Sequence, residues 1–152
     1  MGMTYVKADE IAPAEGATAA VVVNLGLGID EAARILGVLF NVTSVGILVG
    51  GTAPSCYGAY SFDPEDTTPD PKDDEQFASC FVFHSATPAT YGGAKQSEST
   101  CLDFSGMNLT TTRNLALVGR ATLLGGSVEG KVYYERFKPS AIELSQLIAT
   151  RR

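Results

Sequence analysis

The chain has little charge, a small share of it basic, one histidine and no long hydrophobic run, and each shortage removes a class of function. Of its 152 residues 18% are charged, with 11 Lys or Arg against 17 Asp or Glu, for a net charge of −6. Binding to a phosphate backbone is driven largely by Lys and Arg releasing counterions. Here the basic residues are scattered, and Arg151 with Arg152 is the nearest thing to a cluster. Direct nucleic-acid binding is therefore not expected. No run approaches the roughly 18 apolar residues a bilayer span needs, because Gly, Asn and Thr interrupt the longest candidates. Residues 1–16, MGMTYVKADEIAPAEG, carry one lysine and no apolar h-region. A signal peptide is therefore not expected, and synthesis in a cytoplasm is.

Any catalytic triad or His-rich metal site must run through His84, the single histidine. No G-x-S-x-G, H-E-x-x-H or H-x-E pattern accompanies it, so it reads as structural or surface-exposed. Cys56, Cys80 and Cys101 are odd in number and contain no CxxC, which argues against a complete disulfide framework or a zinc site. Buried free thiols are expected. The run GLGIDE at residues 26–31 begins like a dinucleotide fingerprint, but Glu31 stands where the third glycine belongs and no βαβ pattern follows. Its glycines read as a tight turn. No cofactor is implied.

What is present is mostly strand signal: short runs rich in Val, Tyr, Phe and Thr, punctuated by Gly, Pro, Asp and Ser. In residues 128–137, Val128, Val132 and Tyr134 alternate with Glu129, Lys131 and Glu135, so one side faces a core and the other water. Residues 114–124 put Leu115, Leu117, Ala121 and Leu123 on one face. Further strands are expected near 18–25, 34–45, 56–62, 77–84 and 100–104, with weaker candidates at 5–8 and 47–49. In 34–45, Leu36, Val38, Phe40 and Val42 share one face with Ile35 and Leu39 on the other, as in a central strand. Asp30 and Glu31 suggest one turn of helix just before it. The count is about eight strands, which is the pattern of an all-β sandwich.

Pro139 breaks the last strand. Ser140 and Glu143 then make an S-x-x-E capping box, and Leu144, Leu147 and Ile148 fall at i, i+3 and i+4. A helix this short is marginal alone and must dock, on its own domain or on a neighbour. The expected organisation is an extended N-terminal segment over 1–16, a β-sandwich over 17–139 and a helix over 140–152.

Residues 63–75, DPEDTTPDPKDDE, hold seven of the acidic residues and three prolines. Asp63, Glu65, Asp66, Asp73 and Asp74 are weak candidate calcium ligands, because clustered carboxylates repel unless a cation neutralises them. The run lacks EF-hand spacing, and a solvated, proline-stiffened loop is the favoured reading. Paired carboxylates for glycoside hydrolysis are not singled out by anything in the sequence. Tyr57, Tyr60, Tyr91, Tyr133 and Phe137 are candidate stacking aromatics without a basic groove beside them, so core packing or subunit contact explains them better.

The runs VVVNLGLGIDEAARILGVLFNV and NLALVGRATLLGGSVEGKVYYERFKPSAIELSQLIATRR together resemble small virion coat proteins of the single jelly-roll kind. In these a penultimate strand leads to a "VYY" strand and a short C-terminal helix. The resemblance covers the two ends, about 60 residues. It implies a jelly-roll β-sandwich that tiles into a shell and carries no catalytic residues. The basic N-terminal arm often used to package RNA is absent: Lys7 stands against Asp9, Glu10 and Glu15.

The expectation is thus a virion or phage structural protein made in the host cytoplasm, partnering itself and other virion proteins. Its contact or docking positions would be Tyr5, Ile11, Tyr133, Phe137, Leu144, Leu147 and Ile148. A decoration protein on another shell and a calcium-dependent carbohydrate- or ligand-binding module are the alternatives.

Overall fold

The computed structural model describes residues 3–45, 54–83, 95–122 and 125–150. Among them the strands are β1 (Thr4–Ile11), β2 (Thr18–Val23), β3 (Ala32–Val45), β4 (Ser55–Ser61), β5 (Gln76–Phe83), β6 (Lys95–Asp103), β7 (Leu109–Thr111), β8 (Leu115–Ala121) and β9 (Gly126–Phe137), followed by helix α1 (Ala141–Thr150). They build two antiparallel sheets. One has the order β1-β9-β3-β6, with β7 also paired to β3, and the other the order β2-β8-β4-β5. Setting aside β7, the eight remaining strands occupy positions one, eight, three and six in the first sheet and two, seven, four and five in the second. That order is a jelly roll, the double-sheet arrangement expected from the sequence.

The two sheets bury Val38, Phe40, Val42, Leu115, Leu117, Val128 and Val132 between them. They interlock through glycine. A Cβ on Gly130 of β9 would run into the Tyr60 hydroxyl, which reaches across from β4. Reciprocally, a Cβ on Gly58 of β4 would stand 2.5 Å from Val128 of β9, and one on Gly119 of β8 would stand 3.1 Å from the same valine. Gly58 and Gly119 are cross-strand partners, so together they form a socket for Val128 just as Gly130 forms one for Tyr60. Tyr60 also lies against Phe40, with ring centroids 5.2 Å apart.

Several elements depart from the sequence-based expectation. The N-terminal segment contains a full strand: β1 pairs with β9 from Thr4↔Glu135 to Ile11↔Val128 and forms the edge of its sheet. A bulge in β3 between Ile35 and Gly37 inserts a residue and reverses the alternation. Ile35 is therefore buried with Val38, Phe40 and Val42, while Leu36 is half-buried. The helical turn expected at Asp30 does not form; Ile29 and Asp30 make a turn and the Glu31 carboxylate accepts the Gly28 N–H at 2.8 Å. β6 starts earlier than expected because its first half is polar and forms a sheet edge. Cys56 and Cys80 are buried, but Cys101 on β6 is exposed. Burial pushes the Cys56 thiol up to about 11. The candidate strand at 47–49, His84, Tyr91 and Leu123 lie outside the described residues.

Candidate functional site: the outward faces and the C-terminal helix

The helix starts as the sequence requires. Ser140 N–H donates to Glu143 Oε2 at 3.0 Å and Glu143 N–H to Ser140 Oγ at 3.3 Å, closing the capping box. Leu144 and Leu147 are half-buried, and Leu147 shares a groove of about 450 Å³ with Arg34, Asn108 and Phe137 on the outward side of the first sheet. Arg34 organises this groove. It bonds Glu135 at 2.5 Å and Asn108 at 3.1 Å, and its guanidinium lies 5.3 Å from the centre of the Phe137 ring. Yet no described residue of α1 is buried, and Ile142 and Ile148 are 73% and 50% exposed. The helix is amphipathic: Glu143, Gln146 and Thr150 fall at i, i+3 and i+7 and make a polar row, and Ile142 and Ile148 stand away from it.

The other residues expected at contacts fall into two groups. Tyr133 is outward and half-buried on the first sheet, facing Val6 and Gly37 across the ladder. Tyr5 and Ile11 are turned inward by the alternation of β1. Ile11 is a core residue, and Tyr5 stacks on Tyr134 at 5.6 Å beneath the Arg136 guanidinium. Both therefore pack within their own chain. Tyr60, weighed as an exposed aromatic, is fully buried.

The acidic loop spends its carboxylates on its own backbone. Asp63, Asp66, Asp70 and Asp73 each accept the N–H two residues further on, at 2.9–3.2 Å, a run of Asx turns. Gln76 ties the loop together: its amide oxygen accepts Asp70 N–H at 2.9 Å and its amide nitrogen donates to Asp66 and to the Thr68 carbonyl, also at 2.9 Å. Burial would raise the Asp66 pKa, but bonds from Gln76, Thr68, Ser61 and Thr67 outweigh it and hold this carboxyl below its ordinary value. Asp63, Glu65, Asp66, Asp73 and Asp74 do not converge; among the described residues no three His, Cys, Asp or Glu side chains are grouped as metal ligands.

Sequence patterns did not point to the outward face of the second sheet. There Tyr57 and Phe81, with ring centroids 6.3 Å apart, border a groove of about 380 Å³ completed by Arg120 and by Pro69 and Pro71 of the acidic loop. Phe81 and Phe83 are 51% and 54% exposed. Beside Tyr57, Ala59, Ala116 and Val118 form a small second apolar cluster on this face.

One feature inside the sandwich edge is also polar. Asp9 points inward opposite Gly130, with one carboxylate oxygen buried and unpaired, as is the Tyr60 hydroxyl. Burial raises the Asp9 pKa, and Lys7, 3.8 Å away, pulls it back in part.

No family model and no curated protein sequence matches the chain. Among solved structures it is similar to the crystal structure of the infectious bursal disease virus VP2 subviral particle, at 12% identity and a TM-score of 0.22. That match covers 97% of this chain and 49% of the other, so the chain spans about half the length of the structure it matches. At that score the architecture rests on the strand pairing alone.

Proposed function

We propose that the chain is a structural subunit of a virion, a coat protein that associates with copies of itself into a shell and has no catalytic role. The observation that carries this reading is the amount of large apolar side chain left in water. Nine such residues among those described are at least half exposed, including Ile29, Phe81, Phe83, Met107, Ile142 and Ile148. Of these, Phe81 and Phe83 adjoin, with ring centroids 5.7 Å apart, and adjoining apolar groups left in water support an association site over a solvated monomer. Jelly rolls serve in capsids, lectins and cupins alike, so the fold is compatible with this role without requiring it. The resemblance of the two ends to single jelly-roll coat proteins favours the capsid role. The net charge of −6 favours a subunit that does not itself grip the genome. Its partners are itself and other virion proteins, and it reaches the virion from the host cytoplasm.

Light scattering on the purified, tag-free protein, with negative-stain imaging of any large fraction, tests this. Uniform large particles are expected, and removing residues 140–152 should abolish them. A stable small ring would point to a decoration protein on another shell. A monomer at all concentrations would overturn the structural role and leave the ligand-binding module as the reading to test, first with calcium.

A further inference from the structure

The four strands of the second sheet carry a single charged residue, Arg120 on β8. It is exposed on the outward face, between Thr18 and Tyr57 on the ladder. Arg34 on the first sheet is tied to Glu135 and Asn108. By contrast, no hydrogen bond, ion pair or ring contact holds the Arg120 guanidinium among the described residues. This free cation borders the groove of about 380 Å³ whose other walls are the rings of Tyr57, Phe81, Pro69 and Pro71. Two hydroxyls complete the lining, Ser55 Oγ and Thr122 Oγ1, which lie 3.1 Å apart. The proline wall is pinned in place. Asp70, between the two prolines, gives its N–H to Gln76 Oε1 at 2.9 Å and turns its carboxylate to Lys72 N–H at 2.9 Å. None of the loop's carboxylates lines the groove.

We infer that this groove binds a sugar ring bearing a carboxylate, as in a uronic acid. The site lies within one chain, so the inference is independent of the shell reading above. Three kinds of lining group meet three features of that ligand. An unpaired guanidinium forks onto a carboxylate through two parallel N–H donors. The Tyr57 and Phe81 rings offer aromatic surface to the apolar C–H face of the sugar. Whichever of Ser55 and Thr122 donates to the other, the pair keeps lone pairs that accept a sugar O–H. Other small ligands leave part of this lining unanswered. A neutral apolar molecule would not pair the cation, a cationic one would be repelled by it, and inorganic phosphate would leave the rings in water. The volume lies at the small end of the range for ligand pockets, which suits a single ring better than a helix or strand of another protein. Strand positions and a pinned loop hold every wall, so little ordering is needed on binding.

The test uses the full chain and two probes, glucuronic acid and galacturonic acid, each beside its neutral counterpart, glucose or galactose. Calorimetric titration reads affinity, and saturation transfer to the sugar protons in NMR reads contact. The acids should bind saturably and the neutral sugars about tenfold or more weakly, the factor expected for a hydrogen-bonded charge. Arg120→Gln should bring the acids down to the level of the neutral sugars, and Arg120→Lys should recover part of the loss, since it restores the charge without the fork. Phe81→Ala should weaken acids and neutral sugars alike. Arg120 and Phe81 are exposed, so neither change should move the thermal transition, and lost binding would not be lost folding. Gln76→Ala, which frees the proline wall, should weaken every sugar that binds. Equal binding of acids and neutral sugars, or acid binding that Arg120→Gln leaves unchanged, would overturn the inference. Benzoate binding more tightly than both acids would reassign the groove to aromatic acids. Failure of both acids to bind, together with loss of assembly in Phe81→Ala, would give the groove to a second copy of the chain; failure without that loss would leave it an ordinary surface groove.

Discussion

The two outward faces of the sandwich obey the same strand alternation and end up chemically unlike. On the first sheet, outward side chains satisfy one another across the ladder: Arg34 with Glu135, Asn41 with Glu129 and Ser99, and Thr43 with Ser97 at 2.9 Å. On the second, Ala59, Ala116 and Val118 are buried, Tyr57 and Phe81 are in contact, and Arg120 is the main charge. A face that closes its polar groups on itself suits water. A face that leaves Phe81 and Phe83 about half exposed beside an acidic loop keeps apolar surface in water that the first face does not leave on its polar ladder.

Four changes should break or sharpen this contrast, in falling order of effect. Gly130→Ala fills the Tyr60 socket and should remove the common platform of both faces. Overpacking of this kind costs about 1–3 kcal/mol, visible as a lower urea midpoint without a change in slope. Arg34→Ala loses the bond to Glu135, the bond to Asn108 and the cover over Phe137. With both charged side chains partly exposed, about 1 kcal/mol is expected, and the first face should loosen around α1, read as faster hydrogen exchange there. Gln76→Ala should cost a similar or smaller amount, near ~1 kcal/mol, and act on the second face alone, as faster proteolytic cutting within residues 62–75.

Asp9→Asn belongs to neither face and serves as the control. Because the folded state holds the Asp9 pKa above its unfolded value, the folded chain binds that proton more tightly. Its stability therefore falls as pH rises through the elevated pKa. Asn removes the buried charge, so the variant should match or exceed the natural chain near pH 7, by up to about 1 kcal/mol. The difference should shrink as pH drops below the ordinary Asp value of about 3.9. A variant less stable at neutral pH than at acid pH, relative to the natural chain, would show that the carboxylate makes a favourable contact there.

The architecture was largely legible because β8 and β9 keep period two on their inward faces. Val128, Val132 and Tyr134 face inward as their spacing predicts, as do Leu115, Leu117 and Ala121, and the capping box starts α1 where Ser140 and Glu143 place it. Legibility failed where a local device broke the period. The β3 bulge sends Ile35 inward, and the inward Lys7 and Asp9 disguise β1 as a loose segment. β7, three residues long, is too brief to show a period. The candidate site was half legible. The helix announces itself by its stripe, whereas the Tyr57–Phe81 groove joins a strand to a strand and a distant loop, a proximity that only the β4–β5 pairing and the fold of the acidic run create. Tyr5 and Ile11 were misplaced for the same reason that β1 was underestimated: without a visible partner strand, inward and outward cannot be told apart.

The reciprocal glycine sockets have a mechanical consequence. For one sheet to slide along the other by a single residue, about 3.3 Å, Tyr60 must leave the gap over Gly130 and Val128 the gap over Gly58 and Gly119 at the same moment. Two keys facing opposite ways resist shear in either direction. The sandwich behaves as a stiff plate, and a load applied at one face passes to the other instead of being absorbed by slippage in the middle.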